Sequence, residues 1–324
     1  MTLRRVLVTG GAGFIGSNVV DALVDRRVDV VAYDNLRTGR REFLADALAR
    51  GASLVEGDVL DQERLGAALR GCDTVIHMSA NADVRHGLEH PTRDLEQNTI
   101  ATSRVLEAMR GTGVTRIAFA STGSIYGEPE VFPTPEDAPF PVQTSLYAAS
   151  KLAGEALVSA YATGYGFSSV VYRLASILGE RYTHGHVFDF WRALRADPTH
   201  LRVLGDGRQE KSYLSVSDCV AGVLRGLEEH DGQAGAFIYN LGHDETIVVD
   251  DSVAHICSVL GVDPRIEHVG GRRGWAGDSP IIHLDSTRMR ALGWAPKVGI
   301  KDGVSRTLTW LDANPYVLDG VPTT

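Results

Sequence analysis

With 324 residues, 44% of them hydrophobic, the chain has enough material for a large core and is expected to form one big domain with a smaller lobe. Its net charge of -9 argues against a nucleic-acid surface, and no apolar run approaches the ~18 residues of a membrane span. Cys72, Cys219 and Cys257 are too few and too scattered for a disulfide frame, and MTLRRVLVTG enters a strand at once with no room for a secretion signal, so a reducing cytoplasm is the expected setting.

Residues 4–36 read RRVLVTGGAGFIGSNVVDALVDRRVDVVAYDNL: a short apolar strand, a glycine-rich turn, an amphipathic helix and a second strand ending in acid. Gly10, Gly13 and Gly16 allow a tight turn and close approach of backbone to a pyrophosphate, which the following helix N-terminus stabilises. Asp34 is placed to accept hydrogen bonds from an adenosine ribose, and its charge repels a 2'-phosphate, so NAD is expected rather than NADP.

The alternation then repeats. Strand SLVEGDV (53–59), helix DQERLGAALRG, strand TVIHM (74–78), one long helix through DLEQNTIATSRVLEAM and strand RIAFA (116–120) predict an open parallel sheet with helices on both faces. Asp58 and Val59 are placed to border an adenine. Ligands of such sheets bind beyond the carboxyl ends of the strands. His77, Met78, Ser79, Ala80, Ser121 and Thr122 fall at those ends.

Tyr147 and Lys151 lie four residues apart in YAASKLAGEALVSAYA, so a helix projects both from one face. A nearby ammonium favours the phenolate of a tyrosine, and so does a cationic nicotinamide ring, which makes Tyr147 a candidate base. Thr122, at a strand end, offers a hydroxyl for the same substrate oxygen. Lys151, Lys211, Lys297 and Lys301 are the only lysines in the chain, against many arginines, so a lysine at this spacing carries weight.

Strand SSVVYRL (168–174) follows, and beyond it Gly, His and Arg mix with aromatics as in ligand-facing loops. Residues 213–243 revert to helix and strand and are expected to rejoin the sheet. A helix VDDSVAHICSVLG, the basic turn GGRRGWAGD and a last helix near VSRTLTWLDA come after, and the tail YVLDGVPTT has no pattern and is expected to be loose. The expected class is α/β: a Rossmann-type doubly wound parallel sheet carrying a smaller mixed α/β lobe for substrate.

The glycine turn, Asp34, Asp58, Thr122 and the Tyr147/Lys151 pair together resemble the extended short-chain dehydrogenases/reductases, in particular the NAD-dependent nucleotide-sugar epimerase/dehydratase group, over nearly all of residues 4–312. The resemblance implies that TGGAGFIG, including Phe14 and Ile15, binds NAD together with Asn35. It also implies that Thr122, Tyr147 and Lys151 form the catalytic set and that Asn98 supports it. Residues 1–175, with 213–243 returning, are the expected NAD-binding domain; 176–212 and 244–324 are the expected nucleotide-sugar lobe. There Lys211 stands where an Arg is usual, which loses the bidentate fork. Arg273 and Asp278 resemble the pair that holds diphosphate and ribose, Ser176 stands where an Asn is usual, and Val187 joins the expected substrate contacts. The helices at 93–110 and 147–163 are unusually apolar for surface helices (Ile100, Val105, Leu106, Met109; Leu152, Ala156, Leu157), and in such proteins they pair across a two-fold, so a homodimer is expected.

Dehydratases of the group carry Asp-Glu directly after the catalytic Thr, and related decarboxylases a Glu two residues after it; here Gly123 and Ser124 stand in those places. Without a proton donor for a leaving hydroxyl, the expectation is 4-epimerisation of a nucleotide-diphosphate sugar of the UDP-glucose/UDP-galactose type through a 4-keto intermediate. A UDP-glucuronate 4-epimerase, a 4-ketosugar reductase and an NAD-binding regulator without chemistry are the rivals. Arg85, Arg181, His184, His186 and Arg192 are the cations available to a uronate. His184 and His186 lack a third ligand, and no metal is expected.

Overall fold

Strand β1 (Arg5–Thr9) alternates by the two-residue period of a pleated strand: Val6 and Val8 enter one packing layer and Leu7 the opposite one. The same double burial recurs in β2 (Asp29–Asp34), β4 (Thr74–His77), β5 (Arg116–Thr122) and β6 (Ser168–Leu174), as in a sheet covered on both faces. This computed structural model describes residues 3–81, 89–140, 142–275 and 277–319.

With β3 (Ser53–Glu56) and β7 (Gly235–Leu241), the strands form one parallel seven-stranded sheet in the order β7-β6-β5-β4-β1-β2-β3. The order reverses between β1 and β4, and a crevice for ligand opens at the carboxyl ends there. Helices α2 (Gln62–Leu69), α3 (Ala101–Thr112) and α4 (Leu146–Tyr165) fill one layer through Leu65, Leu106, Met109 and Val158. Helix α1 (Phe14–Asp25) fills the other through Val19, Val20 and Leu23.

The remaining helices are α5 (His186–Ala196), α6 (Val216–Glu229), α7 (Val249–Leu260) and α8 (Ile300–Ala313). Their Trp191, Leu224, Ile256 and Leu308 belong to the same core cluster as α1. Small sheets stand beside them: Ser176–Leu178 with Tyr213–Ser215, His200–Val203 with Arg265–His268, and Glu210–Lys211 between Ile247–Val248 and Ile281–Ile282. The segment 213–243 does return: α6 leads into β7, which pairs with β6 over its full length.

Three expectations are corrected. The single long helix over 94–109 is an α turn (Pro91–Asp94), a π turn (Leu95–Ile100) and then α3. The widened turn brings neighbours Asn98 and Thr99 both onto α4, where Asn98 Nδ2 donates to Ser150 Oγ at 2.9 Å and Thr99 Oγ1 to the Ser150 carbonyl at 3.1 Å. Val105, Leu106 and Met109, expected on a partner-facing surface, are buried against α2 and the sheet, leaving Leu95 and Ile100 exposed. The tail is held as far as Asp319: Val317 is buried, and Arg40 donates to the carbonyls of Val317 and Asp319.

Candidate active site

The glycine turn joins β1 to α1 at the crevice. Gly10 has φ +65°, and a Cβ there would lie 2.7 Å from the Ser79 amide nitrogen; one on Gly16 would lie 2.0 Å from the Gly10 carbonyl oxygen. Only glycine fits at these two positions, and Gly13, which caps α1, puts no side chain in competition for the helix's first amides. Phe14 packs edge-on to Tyr182, and Ile15 is half-buried. Asp34 ends β2 and accepts from Ala12 N at 3.0 Å and Leu36 N at 2.8 Å; burial raises its pKa while those two amides oppose the rise. Asn35 Nδ2 donates to Asp58 Oδ2 at 3.0 Å beside the buried Val59. Met78, Ser79 and Ala80 continue from β4, and Ser121 at the end of β5 has a buried hydroxyl with no partner. A turn that excludes a Cβ at Gly10 and Gly16, a carboxylate on the second strand and an orphaned hydroxyl at the crevice fit a dinucleotide.

Thr122 closes β5 and caps the short helical turn Gly123–Tyr126, accepting from Ser124 N at 3.2 Å. Ser145 caps α4 by accepting from Ala148 N, and this fixes the first turn, which carries Tyr147. The Thr122 hydroxyl is among the groups that act on the phenol. Lys151, one turn on and only 3% exposed, sets its ammonium 4.4 Å above the Phe119 ring centre. Burial draws the Lys151 pKa down to about 8, with the Glu155 carboxylate opposing.

Here an expectation is corrected: burial pushes the Tyr147 phenol up to about 12, the Thr122 hydrogen bond lowering it and Asp94 raising it further, while Lys151 is not among the groups that shift it. The protein's own groups therefore do not make Tyr147 acidic. A cation beside the phenol is required for that.

On the substrate side the predicted residues come together differently. Lys211 Nζ donates to Asp278 Oδ1 at 2.8 Å and to the Ser279 carbonyl, and Asp278 Oδ2 accepts from Gly274 N at 3.0 Å. Both charges are buried, so each serves the other; in this conformation Lys211 ties the RGWAGD turn to the small sheet. Arg273 pairs with Glu128. Arg181 Nη2 pairs with Asp21 Oδ2 of α1 at 2.6 Å and lies near Tyr316. Val187 is fully buried in the core through α5, which corrects its expected place at the substrate. Ser176 is half-buried at the start of its strand. His186 bonds Ser252 Oγ at 2.8 Å, and burial, with Lys211 nearby, lowers its pKa to about 3. His184 is stacked on Tyr182, and Arg192 sits over Phe188 near Asp189. Arg85 lies outside the described residues.

Gly123 meets Leu284: a Cβ at position 123 would sit 3.2 Å from both of that leucine's terminal methyls. Sequence reasoning missed Leu284, Ser150 and the buried Glu155–Arg173 pair at 2.9 Å, which fixes α4 against β6 just beyond Lys151. Glu155 was open to detection, since it stands one helical turn after Lys151. Leu284 left no local signal.

Fold and site together are those of a Rossmann-type enzyme that works with a dinucleotide. The profile of the NAD dependent epimerase/dehydratase family matches residues 6–242. The UDP-glucose 4-epimerase of Mycolicibacterium smegmatis is 34% identical over 94% of this chain and 97% of its own length. A crystal structure of a UDP-galactose 4-epimerase superposes with a TM-score of 0.87 at 36% identity, covering 96% of this chain and 99% of that one. A dTDP-glucose 4,6-dehydratase from Streptomyces venezuelae, solved with NAD bound, gives 0.86 at 28% identity over 96% and 97%. The chain belongs to the NAD dependent epimerase/dehydratase family, and its cofactor is NAD.

Proposed function

We propose that the protein inverts C4 of a nucleotide-diphosphate hexose of the UDP-glucose/UDP-galactose type. NAD, when bound, supplies a reversible hydride acceptor for that carbon. Tyr147 takes the C4 hydroxyl proton and later returns it, and Thr122 hydrogen-bonds the same oxygen. Lys151, still an ammonium at neutral pH since its value of about 8 lies above 7, orients the ribose beside the nicotinamide. The Glu155–Arg173 pair keeps the helix bearing both residues fixed against the sheet. The UDP-glucose 4-epimerases among the relatives support this reading.

The observation that carries epimerisation over dehydration is the Gly123–Leu284 contact. The site has no acid after Thr122, and a side chain at position 123 has no room unless Leu284 moves. A neutral hexose is favoured over a uronate because Arg181 faces Asp21, Arg192 lies beside Asp189, and burial keeps His186 uncharged. Exposed Leu95 and Ile100, beside α4, support a homodimer through these helices; sedimentation as a monomer at micromolar concentration would contradict it. No helix among the described residues is long and apolar enough to cross a membrane, and the cytoplasm is the proposed location. The proposed division assigns 1–175 and 213–243 to NAD, and 176–212 with 244–324 to the sugar nucleotide.

The test is incubation with a panel of UDP-, dTDP- and GDP-sugars, with products resolved by stereochemistry. UDP-glucose and UDP-galactose should interconvert without net consumption of added NADH. Stoichiometric NADH loss would make the protein a reductase instead. Tyr147→Phe should retain NAD and lower turnover by roughly 1000-fold, and an active Phe variant would remove Tyr147 from the reaction.

A further inference from the structure

His77 ends β4 inside the protein, 1% exposed, and the reaction outlined above does not use it. Both ring nitrogens are engaged. Nδ1 lies 2.7 Å from Thr9 Oγ1 and 3.3 Å from Ser79 Oγ, and Nε2 lies 3.1 Å from Thr102 Oγ1. Donor counting fixes which nitrogen carries the proton. The Thr102 hydroxyl has one proton, and it goes to the Asn98 carbonyl at 2.6 Å. Its oxygen is left as an acceptor toward the ring, so Nε2 is the N–H and Nδ1 is bare. Thr9 then donates to Nδ1, and its own oxygen accepts from Ser79 N at 3.3 Å and Ser79 Oγ at 3.1 Å. The Ser79 hydroxyl has given its one proton to Thr9, so its 3.3 Å approach to the bare Nδ1 is a contact without a proton, and every other bond keeps its direction.

Beyond Asn98 the same set of bonds continues into the catalytic helix. Asn98 Oδ1 accepts from Asn81 N at 2.8 Å, Asn98 Nδ2 donates to Ser150 Oγ at 2.9 Å, and Ser150 Oγ donates to the Tyr147 carbonyl at 2.7 Å. Thr9 is the residue immediately before Gly10, so the path joins the glycine turn at one end to the turn of α4 that carries Tyr147 at the other.

We propose that His77 is a positioning residue: as the neutral Nε2–H tautomer it couples the glycine turn, through Thr9, to the π turn and the Tyr147 helix, through Thr102 and Asn98. An imidazolium would present a second N–H to Thr9 where an acceptor is needed. The Phe119 ring is tilted against the imidazole at 5.7 Å, and the Lys151 ammonium stands 4.4 Å from the centre of that ring. Burial and that ammonium both hold the ring uncharged.

Three measurements on the full-length protein test the coupling. In 15N-histidine NMR at neutral pH, His77 should show a protonated Nε2 and a bare Nδ1; the opposite tautomer or an imidazolium overturns the proposal, and this needs no variant to fold. Thr9→Val removes one end of the path and should weaken NAD binding about 10-fold, the worth of one buried hydrogen bond; unchanged affinity overturns it, and this arm does not depend on the identity of the sugar. The third arm rests on the 4-epimerase reading. Thr102→Val and His77→Asn, which keeps the Nδ1-side acceptor but loses the Nε2 donor, should each lower turnover about 10-fold with NAD affinity kept within about 2-fold. Because they cut the same bond, the double variant should be no slower than either single one, whereas independent effects multiply to about 100-fold. A merely structural histidine would lower the melting temperature and leave turnover of the folded fraction unchanged, and that outcome, or multiplicative loss, refutes the coupling.

Discussion

The two halves of the crevice handle polar groups in opposite ways. On the dinucleotide side they are held open: a Cβ at Gly10 or Gly16 would collide with backbone, no side chain caps the first amides of α1 and the Ser121 hydroxyl has no partner. On the side proposed for the sugar nucleotide, charges close on one another: Lys211 on Asp278, Arg273 on Glu128, Arg181 on Asp21. Backbone groups at the end of a parallel sheet are fixed by strands that pair whether or not a ligand is bound, so they can be left exposed to it. Long charged side chains are not fixed in that way, and burying one without a counter-charge is costly, so they find partners within the protein.

The sharpest way to break this contrast is on the rigid side. Gly16→Val drives a side chain into the Gly10 carbonyl, 2.0 Å from where its Cβ would lie, and should weaken NAD binding roughly 100-fold or more. NAD retained after gel filtration of this variant would show that the turn is not obligatory.

Lys151→Met should cut turnover by about 100-fold or more and yet stabilise the NAD-free protein at pH 7. Burial lowers the Lys151 pKa from 10.5 to about 8, so the unfolded chain holds the proton more tightly between those values. The buried charge thus costs stability below about pH 8, and the cost fades as pH rises toward 10.5. Methionine should raise the melting temperature at pH 7 and gain progressively less above pH 8; a lower melting temperature at pH 7 would contradict this account.

On the other side, Asp278→Asn strands a buried ammonium and should cost about 3 kcal/mol in urea denaturation. Lys211→Met in the same chain should recover part of that, and a loss below about 0.5 kcal/mol would mean that the pair is solvated. The smallest effect is expected of Arg181→Ala. With its guanidinium held by Asp21, kcat/KM for a UDP-hexose should change by less than about 2-fold, and a larger fall would return Arg181 to the substrate.

What the sequence made legible follows the same division. The βαβ unit, Asp34, β6 and α6 could be read because hydrophobic periodicity and turn chemistry are local. The Tyr147/Lys151 spacing was equally local. Hidden were features whose partners are distant in the chain. Lys211 and Asp278 are 67 residues apart, as their hydrogen bond records, and nothing near Lys211 announces that its charge is already claimed. Leu284 reaches Gly123 from another part of the chain. The π turn over Leu95–Ile100 was read as ordinary helix because one extra residue per turn barely disturbs the apolar pattern; its cause is side-chain bonding to Ser150. The phenol's pKa was misjudged in direction because proximity in sequence reveals a neighbouring cation but not the depth of burial.

The return of β7 to the sheet sets an order for making this protein. All seven residues of β6 are buried, and its outer edge is paired with Gly235–Leu241, synthesised about 60 residues later. A nascent chain that stops at 175 presents a bare, sticky border of unpaired amides and carbonyls to its neighbours. The dinucleotide half is therefore not a module that can be cut free: its last plank is delivered only after a detour through the other half.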